Sequence, residues 1–356
     1  MAVSPFLNLR NLVLNKCNNF LLPGSSRDTC YKFLLDGYFV GFIHPLFLDW
    51  LLKYSKVFIR VSHPKYGDHC VTIHQSLTNL NDRSNAVAEV MQDLRTTSPI
   101  KALKGWRNED YGVYIRHREK ALLRIERSAS CLLGIIRYGV HVNGFCSNRI
   151  KSYNVNSSSS SNGSCNSNNN ISQKSNRTTN GNLLNVSNDS SPSNQIDPDN
   201  VFMWLGLRSM DKPTWPGMLD NMAAGGLTYG LDAMECARKE CQEEASVPEH
   251  MLGKLTLVNE LSYIFEDERG ICPQIEYCFD LELPSDFIPV GSDGEVDSFQ
   301  LVSISELKQL IFEERFKSNS AMVVLDFLYR HKFIDENSDP RHAEIQSMMH
   351  VNLPFD

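Results

Sequence analysis

Hydrophobic residues recur along the chain with two periodicities, which together predict a protein of mixed α/β class in two parts. In the first part, short alternating runs surround apolar stretches of helical spacing. Strands are predicted at 31–35, 38–43 and 57–61, and helices at 45–52, 79–94 and 121–134. These elements predict a small N-terminal α+β domain over residues 1–125.

The second part repeats this mixture on a larger scale. Strands are predicted at 138–145, 201–207, 254–258, 261–265, 274–283 and 299–302, and helices at 233–245, 304–313 and 320–331. Mixed strands with helices on both sides are typical of a three-layer α/β/α sandwich. We therefore expect a second domain, with a mixed sheet, over residues 126–346.

A serine- and asparagine-rich tract interrupts the second domain at residues 146–198. It contains few large apolar residues, and such a composition cannot offset the entropy of ordering, so the tract is predicted to be a disordered insertion. Its flanks at 138–145 and 201–207 are apolar and strand-like, which predicts a single hairpin with an expanded turn. Long loops of this kind are tolerated because closure entropy grows only logarithmically with length.

Charge and cysteine content narrow the possible partners and compartments. The formal net charge of -7 offers no positive field for nucleic acid, and no apolar run reaches the roughly 20 residues that span a bilayer. The ten cysteines include no Cys-x-x-Cys pair, which favours free thiols in the cytosol. Residues 1–27 lack acidic side chains, so a mitochondrial presequence stays open beside an amphipathic helix that packs on the following domain.

Three glutamates stand close together on the helix predicted over 233–245. Glu240, Glu243 and Glu244 are spaced i, i+3 and i+4, so their carboxylates share one helix face. A solvated acidic surface is the common meaning of such a run. Hard cations such as Mg²⁺ bind carboxylate and phosphate oxygens together, so the face also suits a diphosphate substrate. Spacing alone leaves both interpretations open.

A glycine-rich loop before this helix favours the second interpretation. Gly225, Gly226 and Gly230 let the backbone approach a ligand closely. The loop leads into the N-terminus of the helix, which attracts anions. Gly225 and Gly226 are therefore candidate substrate-binding residues, on the same short element as the candidate metal ligands.

Residues 225–247 resemble the Nudix box. In that family the pattern runs Gly, five residues, Glu, seven residues, Arg-Glu, an apolar residue, any residue, Glu-Glu, any residue, Gly and an apolar residue. With Gly225 first, the last three glutamates fall on Glu240, Glu243 and Glu244. The resemblance implies a Nudix-type sandwich that hydrolyses diphosphate bonds, with Mg²⁺ or Mn²⁺ bound by these three carboxylates.

The chain departs from the family pattern at three positions. Leu231 stands where the family has its first Glu, Lys239 replaces the Arg, and Ser246 replaces the late Gly. Asp232 and Glu235 lie near the missing Glu, but their spacing is that of a helix N-cap and its capping-box partner. Lys239 keeps the positive charge without the planar fork of Arg. We therefore expect slower catalysis, or catalysis fitted to a particular substrate.

Three further candidates lie outside the box. Glu295 resembles the late glutamate that many Nudix enzymes use as an extra ligand or base. Arg208 and Lys212 close the strand before the glycine loop, where they either hold a terminal phosphate or form a plain surface pair. The expected reaction is attack of a metal-activated water on phosphorus, with Glu240, Glu244 and Glu295 as catalytic carboxylates. The water's proton passes to Glu244 or Glu295.

Four further runs extend the resemblance over nearly the whole chain except the insertion. They lie at 106–109, 139–144, 216–226 and 263–270. They are similar to those of a Nudix subfamily of fungal and plant proteins that pairs the hydrolase domain with an N-terminal domain and is linked to thiamine diphosphate metabolism. The resemblance implies hydrolysis of thiamine diphosphate, or of its oxidised and analogue forms, to the monophosphate and phosphate.

Two alternatives to this function stay open at this point. One is a hydrolase of nucleoside diphosphates linked to another group, such as ADP-ribose, a sugar nucleotide or a dinucleotide. The other is a diphosphate-binding module with little turnover, which Leu231 and Lys239 would explain. The N-terminal domain either shapes the pocket for this small phosphorylated metabolite or forms a homodimer, and its composition does not choose.

Overall fold

The computed structural model describes residues 9–115, 119–147, 200–335, 337 and 340–355. The strands of its N-terminal part are β1 (Tyr31–Leu35), β2 (Tyr38–Ile43), β3 (Phe58–His63), β4 (Gly67–Ile73), β5 (Asp110–Val113) and β6 (Leu123–Glu126). Its helices are α1 (Pro45–Leu52), α2 (Leu80–Thr97) and α3 (Ser130–Leu133). Four strands form a sheet in the order β2-β1-β4-β3, and β5 pairs with β6. Helices α1 and α2 pack their apolar residues into a shared core, so this part is α+β, as predicted.

A larger mixed sheet follows. Its strands are β7 (Arg137–Ser147), β8 (Val201–Arg208), β9 (Leu219–Asn221), β10 (Ala223–Gly226), β11 (Thr256–Asp267), β12 (Gly270–Glu282) and β13 (Val296–Ser303). Helices α4 (Ala233–Ala245), α5 (Ile304–Leu310), α6 (Ser318–Arg330) and α7 (His342–Met348) accompany it. The strand order is β11-β12-β7-β8-β13, and β12 runs parallel to β7. The short strand β10 pairs with β7, and the short strand β9 pairs with β8. Both pairings lie beyond the residues through which β7 and β8 pair with each other.

Helices cover both faces of this sheet. Helix α4 packs Cys236 and Cys241 against Val140 on one face. Helix α6 packs Phe327 into the core of the other face, which includes Met203. Apolar side chains alternate between the two faces along each strand, as expected for a sheet that is buried on both sides. The mixed-sheet α/β/α sandwich predicted from the sequence is confirmed.

The hairpin predicted on either side of the serine- and asparagine-rich tract is present. Strands β7 and β8 are paired: Phe145 lies opposite Met203, and Ser147 lies opposite Val201. The strand runs two residues further than predicted, through Ser147, and residues 148–198 of the predicted insertion lie outside the described residues.

The helix predicted over residues 121–134 is wrong. Leu123 and Ile125 alternate with polar residues, and the segment forms β6 on β5 before the single short turn of α3. Gly134 ends α3 in the left-handed conformation, with φ of 55°, so the glycine marks the end of a much shorter helix. The pairing with β5 overrides the local helical spacing.

The segment at the start of the chain packs on the second sheet. A short π-helical segment, Asn11–Lys16, buries Leu12 and Val13 in the same core as helix α6. The side-chain amide of Asn18 donates to the carbonyl of Met348, 2.9 Å away. The predicted boundary near residue 125 stays a prediction, because elements on both sides of it pack together. No helix in the described parts of the chain is long and apolar enough to cross a membrane.

We expect Gly41→Ala to weaken the packing of strand β2 against the segment that follows α3. A Cβ at Gly41 would lie 2.2 Å from the backbone oxygen of Leu133, at the bridge between Gly41 and Ile135, and neither backbone can yield cheaply. The expected loss is about 2 kcal/mol in the free energy of unfolding, measured by urea titration. Gly253→Ala is the matched control, because a Cβ there meets nothing within 4 Å. Equal stabilities for the two variants would contradict the packing described.

Candidate active site

Helix α4, which carries the acidic residues, has well-defined ends. Asp232 Oδ1 accepts from the Glu235 N–H at 2.8 Å, and Glu235 Oε2 accepts from the Asp232 N–H at 3.0 Å, so the predicted capping box is confirmed. Ser246 ends the helix with φ of 51°, at the position where the family pattern has glycine. A left-handed serine costs about 1 kcal/mol. Its hydroxyl donates to the Val290 carbonyl at 2.7 Å, which holds the turn in place.

The three glutamates of α4 lie at different depths. Glu244 is buried, Glu240 has a side chain that is 14% exposed, and that of Glu243 is half-exposed. Burial raises the pKa of Glu240, and burial together with the neighbouring Glu240 raises the pKa of Glu244. The surroundings therefore do not fully neutralise the negative charge of the cluster. A divalent cation would supply the missing positive charge.

The glycines before the helix make room for these carboxylates. A Cβ on Gly225 would lie 2.2 Å from the carboxyl group of Glu240, so a larger residue here would force that carboxyl group to shift. The backbone N–H of the preceding residue, Ala224, donates to Glu244 Oε2 at 2.8 Å. Gly226 gives space to the hydroxyl of Tyr111, a residue of the N-terminal part. Both predicted glycines line the cavity, and their smallness serves the protein's own side chains.

The loop before β13 brings further carboxylates to Glu244. Carboxylate oxygens of Glu244, Asp293 and Glu295 all lie within 4.8 Å of one another. Hard oxygen donors at this spacing fit a divalent cation, with Glu240 and Glu243 nearby on the same helix. Sequence reasoning singled out Glu295 and missed Asp293, although the two share one short loop. Loop carboxylates are usually solvated, so only the folded chain distinguishes them.

Lys212 is paired with one of these acids. Its Nζ forms an ion pair with Glu295 Oε2, and its side chain is only 12% exposed. Burial and the nearby Arg208 lower the pKa of Lys212. Both Lys212 and Arg208 line the cavity.

Arg208 is held by its own surroundings. It donates from Nη1 to Asp220 Oδ2 at 2.9 Å, and from Nε and Nη2 to the carbonyls of Trp215 and Thr214, each at 3.0 Å. Asp220 also accepts from Lys317, and although burial opposes ionisation, Lys317 and Arg208 hold its pKa well below the usual range. Substrate binding by Arg208 and Lys212 stays a prediction, because each already has an internal partner.

The departures from the family pattern have different consequences. Lys239 Nζ lies 2.8 Å from Glu243 and 3.8 Å from Glu240, so the lysine bridges two of the three carboxylates. Leu231 is 38% exposed and does not line the cavity. Since Asp232 and Glu235 are engaged in the capping box, neither replaces the missing glutamate.

A cavity of about 620 Å³ adjoins the acidic cluster. Its walls come from both parts of the chain, and the N-terminal part contributes residues to which sequence reasoning assigned no role in the site. Those from the N-terminal part and the segment leading into β7 include Arg107, Glu109, Tyr111, Arg127 and Arg137. Polar residues of β7, β11 and β12 line the side away from α4, among them His141, Tyr263, Gln274 and Glu276. The approach of these residues to one another depends on tertiary contacts between distant parts of the chain.

Comparison with known proteins agrees with this geometry. The NUDIX domain matches residues 196–322, and a domain of unknown function, DUF4743, matches residues 11–137. The chain is 31% identical over 331 residues to Nudix hydrolase 20, chloroplastic, of Arabidopsis thaliana, covering 91% of this chain and 73% of that protein. It is also 31% identical to Nudix hydrolase 24, chloroplastic, of the same plant, covering 86% and 69%.

Among solved structures, the Ap4A hydrolase of Caenorhabditis elegans matches at 10% identity with a TM-score of 0.30, covering 54% of this chain and 97% of that one. So distant a likeness says nothing about substrate. The relation to the plant proteins extends over nearly all of the chain, and the NUDIX domain match spans the carboxylate cluster. The chain belongs to the Nudix hydrolase family and is a hydrolase that acts on diphosphate bonds.

Proposed function

We propose that the enzyme hydrolyses thiamine diphosphate, or oxidised and analogue forms of it, to the monophosphate and phosphate with Mg²⁺ or Mn²⁺. One observation carries this proposal. Each of the four sequence runs that resemble thiamine diphosphate-related Nudix proteins contributes to the cavity wall, for example through Arg107, Gly139, Met218 and Tyr263. The resemblance is therefore concentrated where a substrate would bind.

The site separates the tasks of its carboxylates. Glu244 lies behind the cavity wall and is hydrogen-bonded to the backbone of β10, so we assign it to holding a cation together with Glu240, Glu243 and Asp293. When bound, the cation would neutralise the diphosphate and lower the pKa of a water. These carboxylates determine the position of the cation's positive charge in the site.

Glu295 is the better placed of the two candidate bases. Its side chain is 41% exposed and lines the cavity, whereas Glu244 does not. Its partner Lys212 keeps a positive charge beside it. We therefore assign proton acceptance from the attacking water to Glu295 and a positioning role to Lys212, which also lies close enough to the cavity to contact a phosphate.

The proposed function is tested by separating the products of thiamine diphosphate, oxothiamine diphosphate, ADP-ribose and NADH by chromatography, with Mg²⁺ or Mn²⁺. We expect the thiamine compounds to yield monophosphate and phosphate. We expect Glu243→Gln to lower kcat by about 100-fold or more, since several kcal/mol of charge stabilisation depend on the cation. The control is Glu249→Gln, which removes a 69% exposed carboxylate beyond the end of α4 and should leave kcat unchanged.

Metal-dependent hydrolysis of ADP-ribose or NADH alone would discard the thiamine compounds and keep the diphosphate chemistry. Loss of activity in both glutamate variants alike would contradict the assignment of Glu243 to cation binding. A Glu295→Gln variant that keeps full turnover would remove Glu295 as the base.

A second expectation concerns stability in the absence of metal. Because the pKa of Glu244 is raised in the folded protein, the wild type loses stability as the pH rises through that pKa, and Glu244→Gln escapes this loss. The variant should therefore have a higher Tm than the wild type at pH 8.5, by about 2–4 °C for each kcal/mol, and a similar Tm at pH 5. Thermal melts in chelator at the two pH values measure this difference.

Added Mg²⁺ should reverse the order at pH 8.5. Binding of a cation to the folded wild type raises its Tm by mass action, and the variant has lost one ligand. A variant that is less stable than the wild type in chelator at pH 8.5 would show that Glu244 is structural rather than held ready for a cation.

A further inference from the structure

A buried carboxylate lies in the cavity away from the metal-binding cluster. Glu276, on β12, is 3% exposed and lines the cavity wall. Among the described residues, no Lys or Arg lies within ion-pairing distance of it, and the basic side chain within that distance is His141, whose Nε2 is 3.8 Å from Glu276 Oε2. Carboxylates are almost never fully buried unless they are paired, so an unpaired one in a cavity wall is a candidate ligand-binding group.

His141 does not supply that counter-charge. Burial lowers its pKa, so the imidazole is neutral near pH 7. Its Nδ1 lies 2.8 Å from Asn221 Oδ1, and its Nε2 lies 3.2 Å from Asn319 Nδ2. These neighbours assign the ring proton to Nδ1, because Asn221 Oδ1 can only accept and Asn319 Nδ2 can only donate. His141 Nε2 is then an acceptor and offers Glu276 nothing.

Only one oxygen of Glu276 is satisfied. The hydroxyl of Tyr263 is 2.9 Å from Oε1, and burial together with Glu276 raises the pKa of Tyr263, so the hydroxyl keeps its proton and donates it. The hydroxyl also contacts the side-chain oxygen of Gln274, but it has a single proton to give. Oε2 lies over Gly139, where a Cβ would be 2.2 Å from it, and no described residue donates to it.

Glu276 lies two strands away from the strand against which Glu240 packs. Gly226 on β10 pairs with Gly139 on β7, which pairs with Glu276 on β12. Two strand spacings, roughly 10 Å, therefore separate Glu276 from the glycine strand on which Glu240 packs. Gly139 leaves room for the carboxylate of Glu276, and Gly226 leaves room for the hydroxyl of Tyr111, so both side chains reach the cavity across the sheet surface.

A donor accompanies this acceptor. Arg137 lies two residues before Gly139 on the same face of β7 and pairs in register with Gln274. Its Nε is buried without a hydrogen-bond partner, and its guanidinium forms no ion pair with a described residue. The end of the cavity away from the metal-binding cluster thus presents an unpaired carboxylate oxygen and an unpaired guanidinium on one face.

We propose that this face recognises a nitrogen heterocycle, with Glu276 Oε2 accepting an N–H of the ring edge and Arg137 donating to the ring nitrogen or carbonyl beside it. An aminopyrimidine, an aminopurine or a lactam has such an edge. The proposal rests on the proposed function in that the diphosphate occupies the other end of the cavity. It makes Glu276 a specificity-determining residue that is separate from the catalytic carboxylates.

The test measures binding of reaction products, which are not turned over, by isothermal titration calorimetry with Mg²⁺. The probes are thiamine monophosphate and AMP, each with a ring, and inorganic phosphate, without one. We expect Glu276→Gln to weaken binding of at least one ring-bearing monophosphate by about 10- to 100-fold and to leave inorganic phosphate unchanged. Glu282→Gln, which changes an exposed residue of the same strand, is the matched control and should alter neither.

A thermal melt distinguishes recognition from a structural role. Removing a buried charge that has no counter-charge should keep or raise the Tm of Glu276→Gln, whereas loss of a structural contact would lower it. Unchanged affinity for the ring compounds, or an equal loss for inorganic phosphate, would overturn the proposal. So would a wild type that binds neither ring compound more tightly than inorganic phosphate.

The two proposals can fail separately. Binding of AMP alone that depends on Glu276 would keep ring recognition and discard thiamine as the substrate. Hydrolysis of thiamine diphosphate by a Glu276→Gln variant with unchanged KM and kcat would keep the proposed function and discard this subsite.

Discussion

Helix α4 lies so close to strand β10 that the carboxyl group of Glu240 touches the backbone at Gly225, while Glu244 accepts the N–H of Ala224. This approach places two carboxylates at the edge of the cavity instead of in solvent. The loop with Asp293 then closes on Glu244 from the other side. A side chain at position 225 would clash with the carboxyl group of Glu240 and displace it from its present position.

Charges without matching partners recur throughout the cavity. Burial together with Glu240 raises the pKa of Glu244, and burial together with Arg208 lowers the pKa of Lys212 even though Glu295 pairs with it. At the other end, Glu276 and Arg137 lack charged partners among the described residues. Such arrangements lower the stability of the empty protein, and natural proteins tolerate this at sites where a ligand supplies the missing charge. The cavity is therefore better matched to a bound cation and substrate than to water.

The N-terminal part belongs to this site physically. The Tyr111 hydroxyl contacts the backbone at Gly226, and Arg127 lies beside the same glycine while it pairs with Glu109 at 2.8 Å. Close backbone contacts at Gly41 and Gly134 fasten the small sheet to the segment that leads into β7. Of the two roles left open for this part by its composition, shaping the pocket is the one that these contacts support.

The sequence by itself determined the features that depend on neighbours along the chain. The spacing of Glu240, Glu243 and Glu244 on one helix, the capping box before them and the mixed sandwich follow from local periodicity and turn chemistry. The failed helix at 121–134 shows the limit, because pairing with a distant strand overrode its local pattern. Only the tertiary structure decided that Asp293 joins Glu244 and that Glu276 is buried without a counter-charge. Burial and charge pairing arise between residues far apart in the chain, and neither is encoded in any short stretch of it.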